Sequence, residues 1–283
     1  MLPKLSMTAL TPITAHPAQT QPRAIGTLRL STKADGARTV LDDLYQQGAS
    51  KAVFPRATRG MTGVLLNTSG GVTGGDRFDT TAKAQTGTHL TLTTQACERA
   101  YRAQPGLVGR IRTRLSVEAE ASLWWLPQET LIFDRCALDR RLTCEVARTG
   151  RALIVEPLCL GRIAMGETTV RGHMRDQILI TRNGKPLVQD AWHMRGNMSA
   201  QMAGAATGNG ASAMVTLTLV SPDACAQIDT IRTLLPATGG ASLLADDVLV
   251  MRCLAPTGYE LRRHLLPVLD HLTGGTLPLC WRL

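Results

Sequence analysis

The stretch Arg110-Ile111-Arg112-Thr113-Arg114-Leu115-Ser116-Val117 sets apolar residues against charged and polar ones at a period of two. That is the pattern of a strand with one face on a core and the other toward solvent or a second layer. The same grammar recurs on both sides of it. Thr88-His89-Leu90-Thr91-Leu92-Thr93 comes before and Met214-Val215-Thr216-Leu217-Thr218-Leu219-Val220 after, so strands are expected from about Gly26 to Val220. Glycine-bearing breaks separate them at Gly60 to Gly63, Gly70 to Gly75, Gly150 and Asn183-Gly184. The last of these lies between Ile178-Leu179-Ile180 and Pro186-Leu187-Val188. Both turn residues tolerate positive φ, which predicts a hairpin.

Helical spacing is confined to the end of the chain. Ser221 can cap, Pro222 suits the first turn, and Asp223 suits the positive end of the helix dipole. Ala224, Ile228, Ile231, Leu234 and Leu235 then share a face until Pro236. A second helix is predicted over Tyr259 to Leu272, with Pro267 as a kink and Gly274-Gly275 beyond its end. Val248-Leu249-Val250-Met251 between them reads as one more buried strand. Strands first and helices late give a mainly β fold, α+β at the C-terminal end, rather than βαβ alternation. No internal repeat is visible. The expected organisation is a flexible tail over residues 1–25, rich in Thr, Ala, Pro and Gln, followed by one β-rich domain over 26–283.

Composition narrows the function. The 283 residues are 44% hydrophobic and 19% charged, as in a folded globular protein, and the net charge is +9. That charge favours an acidic partner. Only ten residues are Phe, Tyr or Trp, which weighs against single-strand nucleic-acid readers built on aromatic stacking. Mean hydropathy is near zero and no apolar run approaches the ~20 residues of a membrane span, so a soluble, cytoplasmic protein is expected. Seven cysteines at 97, 136, 144, 159, 225, 253 and 280 contain no C-x-x-C pair. Their odd number and scatter point to reduced thiols rather than a zinc ribbon or a disulfide framework. The basic N-terminus lacks the continuous apolar core of a secretory signal.

The most unusual local feature is Asn67-Thr68-Ser69-Gly70-Gly71-Val72-Thr73-Gly74-Gly75-Asp76-Arg77. Gly70, Gly71, Gly74 and Gly75 could let backbone amides converge on an anion, which would make the chain an anion- or nucleotide-binding enzyme. No Lys-Ser or Lys-Thr follows, however, and a tight turn between buried strands accounts for the segment as well. The six histidines form no ligand cluster, Ser69 is not in a nucleophile elbow, and Cys97 has no assignable base. The carboxylates Asp76, Asp79, Glu98, Glu129, Asp134, Glu156 and Glu167 stand out because they fall in or beside apolar or glycine-rich segments. Two readings of them remain open. They pair with Arg77, Arg99, Arg102 or Arg162, or they line a hydrated passage for a cation.

Four segments in order resemble the urease accessory protein UreD family, also called UreH. They are Leu65-Leu66-Asn67-Thr68-Ser69-Gly70-Gly71-Val72-Thr73-Gly74-Gly75-Asp76, then Leu92-Thr93-Thr94-Gln95-Ala96 with Tyr101-Arg102. Trp125-Leu126-Pro127-Gln128-Glu129-Thr130 with Phe133-Asp134 follows, and then Leu160-Gly161-Arg162-Ile163-Ala164-Met165-Gly166-Glu167. The resemblance implies a non-catalytic β scaffold that works beside UreF and the GTPase UreG to insert nickel into apo-urease, with the ion supplied through UreE. It implies no tightly bound cofactor, only nickel in transit through an internal passage. Asp76 and Glu167 close two of the motifs and Glu129 lies within a third, and these three are the passage or interface residues it suggests; holding turns by hydrogen bonds is the other reading. Trp124, Trp125 and Phe133 read as core or interface aromatics. Cys97 stands where the family has small residues, which weighs against it as a nickel ligand.

Overall fold

In the computed structural model, which describes residues 22–282, the alternating segments are strands of two stacked sheets. In chain order they are β1 (Ile25–Asp35), β2 (Arg38–Gly48), β3 (Ser50–Val53), β4 (Met61–Asn67), β5 (Arg77–Ala84), β6 (His89–Thr94), β7 (Glu98–Ala100), β8 (Gly109–Val117) and β9 (Ser122–Leu126). The series continues with β10 (Thr130–Ile132), β11 (Cys136–Val146), β12 (Arg151–Leu160), β13 (Arg171–Arg182), β14 (Lys185–Asn197), β15 (Ala213–Val220), β16 (Gly239–Ala245) and β17 (Val248–Ala255). The helices are α1 (Met198–Ala203), α2 (Ala224–Leu234) and α3 (Gly258–Thr273). The tail expected over 1–25 falls outside the described residues up to position 21, and β1 opens at Ile25.

The first sheet has seven strands in the order β14-β13-β11-β8-β5-β1-β2. The second has ten, running β16-β17-β15-β12-β9-β6-β4-β3, with β10 and β7 joined to it through β12. The pairs β5/β8, β8/β11 and β11/β13 are parallel, as are β4/β6, β6/β9 and β9/β12. Parallel neighbours need a long crossover, ordinarily a helix. Here the crossover is a strand of the opposite sheet. The chain passes from β5 to β6, back to β8, across to β9, back to β11 and across to β12. Helices are therefore not required until the chain has finished winding.

Burial follows from this layering. Leu28, Ala82, Leu115, Leu142 and Ile178 of the first sheet meet Leu90, Leu92, Leu123, Trp125 and Ile154 of the second in the main apolar core. The opposite face of the first sheet is open, which is why β8 and β11 alternate buried with half-buried or exposed residues. The second sheet is covered on both faces, because α2 and α3 pack Ile228, Ile231, Leu261, Leu265 and Leu269 onto Leu153, Leu217 and Leu249. A strand covered twice reads as a continuous apolar run, and Ala152 through Leu160 of β12 are all buried. Trp281 closes the helical layer, its Nε1 donating to the Leu126 carbonyl at 3.0 Å.

Net positive charge collects on the open face. Strand register sets Arg77 beside Arg110, Arg110 beside Asp139, Asp139 beside Arg175, and Arg175 beside His193 in one row across the first sheet. The next row carries Asp79, Arg112 and Arg141.

The predicted hairpin is present: Asn183 and Gly184, with φ of 51° and 70°, join β13 to β14. Three sequence expectations are corrected. The short helix α1 follows β14, held by Asn197, whose side chain accepts from the Ala200 amide at 3.0 Å; six residues are too few to show a period. Ser221 does not cap α2, which begins at Ala224; its hydroxyl turns instead to the Asp223 carboxylate. Gly63 is not a break but lies inside β4 opposite Leu92, where an added Cβ would meet Leu92 Cδ2 at 2.9 Å. All seven cysteines are free thiols.

His89 gives the fold a measurable pH signature. Burial, and then the charge of Arg59, push its pKa down to about 4, and its Nδ1 has no hydrogen-bond partner among the described residues. The folded state keeps this ring neutral, whereas the unfolded chain protonates it near 6.5. Its contribution is therefore complete above pH 6.5 and is lost as pH falls toward 4, by up to about 3 kcal/mol. Urea unfolding of wild type and His89→Phe at pH 7.5 and pH 5 checks this. The wild type should lose more stability than the variant on acidification, and equal losses would contradict the assignment.

Candidate functional site

The glycine-rich loop links β4 of the second sheet to β5 of the first. Its turn is built by short-range bonds: Asn67 Oδ1 accepts from the Ser69 amide at 3.0 Å, and Gly70 N donates to the Asn67 carbonyl at 3.2 Å. Val72 N donates to the Arg99 carbonyl at 2.7 Å, Thr73 N to Asp76 Oδ2 at 2.8 Å and Asp76 N to the Thr73 carbonyl at 3.2 Å. Most of the loop amides thus have acceptors inside the protein, which fits a structural turn and not an anion cradle. Gly71 has φ of 154°, and an added Cβ would fall 2.3 Å from Tyr101 Cε2 and 2.6 Å from the Arg99 carbonyl. Gly74 is crowded less closely, with the Leu107 carbonyl oxygen 2.8 Å and Ala103 Cβ 2.9 Å from an added Cβ, whereas Gly70 at φ 78° has nothing within 4 Å.

The three motif carboxylates stand at separate places. Asp76 is buried and ties the loop to the start of β1, accepting from the Ala24 and Thr73 amides at 2.8 Å each. Glu129, also buried, takes a two-pronged bond from Arg262 of α3 at 3.0 and 2.7 Å, and the Cys97 thiol donates to it at 3.3 Å. Glu167 accepts from the Asp134 and Arg162 amides and from the Arg162 guanidinium, which holds it below the usual carboxylate range. Burial, and then Glu129, push the Cys97 thiol up to about 11, so it is protonated at neutral pH. Trp124 packs in the core under the helices, edge-on to His89 at 4.2 Å. Phe133 lies between Tyr101 and the Arg162 guanidinium.

Trp125 faces the other way, into a hollow between the sheets. This chamber of about 260 Å³ opens at Lys51, Asn67, Gly70 and Glu98 and runs inward past Thr113 to Arg140 and Glu156. Those two residues are also the wall of a second, smaller hollow of about 60 Å³ that contains Asp176, Asp190 and Arg252. The second hollow in turn shares Trp192, Met214 and Arg252 with a third, of about 500 Å³, beside Met202 at the open edge of the sandwich. The three lie in series between the layers.

Acidic groups mark this line. Glu98 at the mouth accepts from Asn67 Nδ2 at 3.1 Å, and burial raises its pKa against that bond. At the constriction, Arg140 donates from Nε and Nη2 to Asp176 at 2.9 and 2.6 Å and from Nη1 to Thr130 Oγ1 at 3.0 Å. Its Nη1 also stands 2.5 Å from Glu156 Oε2, a buried ion pair. Trp125 Nε1 donates to Glu156 Oε1 at 2.7 Å. Burial pushes Glu156 up to about 7 against the pull of Arg140.

Sequence reasoning included Glu98 and Glu156 among the embedded acids but did not select them, and it passed over Arg140 and Asp176. The signals were there. Arg140 falls between Leu138 and Leu142 on the apolar phase of β11, and Glu156 interrupts a wholly buried strand.

A family model described as UreD urease accessory protein matches residues 24–281. The chain belongs to that family. It is 48% identical to the urease accessory protein UreD of Ruegeria pomeroyi over 90% of this chain and 99% of that one. Identity to the UreD protein of Roseobacter denitrificans is 47%, over 93% of this chain and 96% of the relative. The UreD protein of Rhizobium leguminosarum bv. viciae is 38% identical over 96% of this chain and all of its own length. The UreD motif Asn67–Asp76 is therefore, in this member, a turn that frames the chamber mouth.

The tight packing of that turn makes unequal glycine substitutions. Gly71→Ala should destabilise the protein by about 2 kcal/mol or more, and Gly70→Ala by about 1 kcal/mol or less, from backbone strain alone. Urea unfolding midpoints of the two variants measure the difference, and equal losses would show that the Tyr101 and Arg99 contacts do not constrain the loop.

Proposed function

We propose that this chain is a non-catalytic scaffold of urease maturation that, with UreF and the GTPase UreG, helps place nickel in apo-urease. On this reading the hollows between the sheets are the route the ion takes, with UreE as its supplier and the cytoplasm as the setting. Membership in an accessory family supports the first part. The observation that carries the second is the series of three hollows with Glu98 at its mouth and Glu156 at its constriction. Among the described residues no three His, Cys, Asp or Glu side chains converge on one point. Oxygen ligands spaced along a hydrated line hold a divalent ion loosely enough to release it, which a closed Cys/His cage would not.

Exposed apolar side chains fit a partner-dependent protein. Met165 and Ile163 are 78% and 43% exposed on the turn after β12, and Tyr259 and Leu279 are 74% and 75% exposed near α3. Patches of this kind favour self-association until a partner covers them. Among the described residues no helix is long and apolar enough to cross a membrane.

The test is urease activity in cells that co-express apo-urease, UreE, UreF and UreG at limiting nickel, with and without this chain, together with co-purification through a tag on it. Activity and co-purification should both require the chain. Glu98→Gln and Glu156→Gln should each lower urease activity several-fold while partners still co-purify, and added nickel should restore part of it. Full urease activity without the chain would overturn the accessory role, and full activity in both variants would overturn the route.

A further inference from the structure

Arginine is concentrated on the open face of the first sheet, and much of it has no acid to pair with. Arg29, Arg77, Arg110, Arg141, Arg175 and Arg195 all point out of this face and are exposed, and none has a carboxylate partner among the described residues. Two acids set among them are already engaged, Asp79 by Arg114 and Asp139 by Arg112, each at 3.1 Å. The row of Arg77, Arg110, Asp139, Arg175 and His193 crosses the sheet from β5 to β14, about 19 Å at ordinary strand spacing.

A recess of about 420 Å³ lies on this row. Arg110, Arg175 and Gln177 bound it together with His173 and His193, whose Nε2 atoms are 3.0 Å apart. The carboxylates in its wall, Asp139 and Asp176, are taken by Arg112 and Arg140. Arg110 and Arg175 therefore flank the recess with their charge uncompensated.

We infer that this face docks the acidic surface of a folded protein partner, one of whose carboxylates enters the recess between Arg110 and Arg175. The inference rests on the scaffold reading above and names the chemistry of one partner. Other occupants fit the face less well. Residues 1–21 hold Lys4 and no Asp or Glu, so that segment supplies no carboxylate side chain to these arginines. A second copy would bring the same charge against it. Nucleic acid would set phosphates against Asp79 and Asp139, whereas a protein surface of mixed charge meets both signs. Charge of this kind steers the encounter over a distance, and salt weakens it.

The test uses the full chain, tagged and co-expressed with apo-urease, UreE, UreF and UreG. Arg110→Glu/Arg141→Glu/Arg175→Glu reverses charge on the face. Arg56→Glu/Arg148→Glu/Arg263→Glu makes the same change in net charge at exposed positions elsewhere. The face variant should retain at least one co-expressed protein about tenfold less than wild type, and the control variant should retain them all. That protein should carry net negative charge, and wild type should release it as NaCl rises from about 0.15 to about 0.5 M.

Undiminished retention by the face variant would overturn the docking surface and leave the scaffold reading intact. Equal losses in both variants, or a lost partner of net positive charge, would do the same. If wild type itself retains no protein, the scaffold reading falls and this inference with it. If the face variant keeps every protein and sheds only nucleic acid, seen as lost nucleotide absorbance, the face belongs to nucleic acid and the proposal fails. Circular dichroism establishes that both variants are folded. Should the glutamates prevent folding, Arg110→Gln/Arg141→Gln/Arg175→Gln carries the same test, with an expected loss of about threefold and the same results overturning it.

Discussion

A guanidinium buried between carboxylates of two different sheets governs how this sandwich is filled. Arg140 and Asp176 come from adjacent strands of the first sheet and Glu156 from the second, so the contact spans the layer between them. Burying such groups is expensive, and removing one partner from a buried pair typically destabilises by about 3–5 kcal/mol because a charge is left unmatched. The apolar side chains therefore do not close over this region. Leu28, Leu65 and Trp125 belong to one core and Phe78 and Ile111 to another, and the chamber lies where these two clusters border the polar trio.

The winding of the chain makes the arrangement possible. Because each crossover is a strand and not a helix, both walls of the interior are sheet, and both present side chains at regular spacing along the line of hollows. The helices are displaced to the far side of the second sheet, where α2 and α3 bury its outer face. The open face of the first sheet then carries rows rich in arginine. The first sheet turns Arg140 and Asp176 inward and rows rich in arginine outward, and the helices brace the second sheet from behind.

Much of this was legible in the residues. Alternation marked the strands, Asn183-Gly184 the hairpin, and the Leu261, Leu265, Val268, Leu269 face the last helix. The parallel pairing was not legible, because period two reports which face is buried and says nothing of which distant strand lies alongside. The ordered motifs led to Asp76, Glu129 and Glu167, each of which the structure surrounds with amides or an arginine. Arg140 and Glu156 belong to no such motif. Each was marked only by a charge on an apolar phase, and its meaning depends on a partner 16 residues away in sequence and in the other sheet.

The central claim is that a divalent ion travels between the sheets and not over the surface. Anomalous diffraction at the nickel edge, from crystals of this chain with its maturation partners soaked in nickel, tests it directly. Anomalous density between the layers, beside Glu98 or Glu156, is the predicted result. Full nickel occupancy on outer surfaces with an empty interior would contradict it.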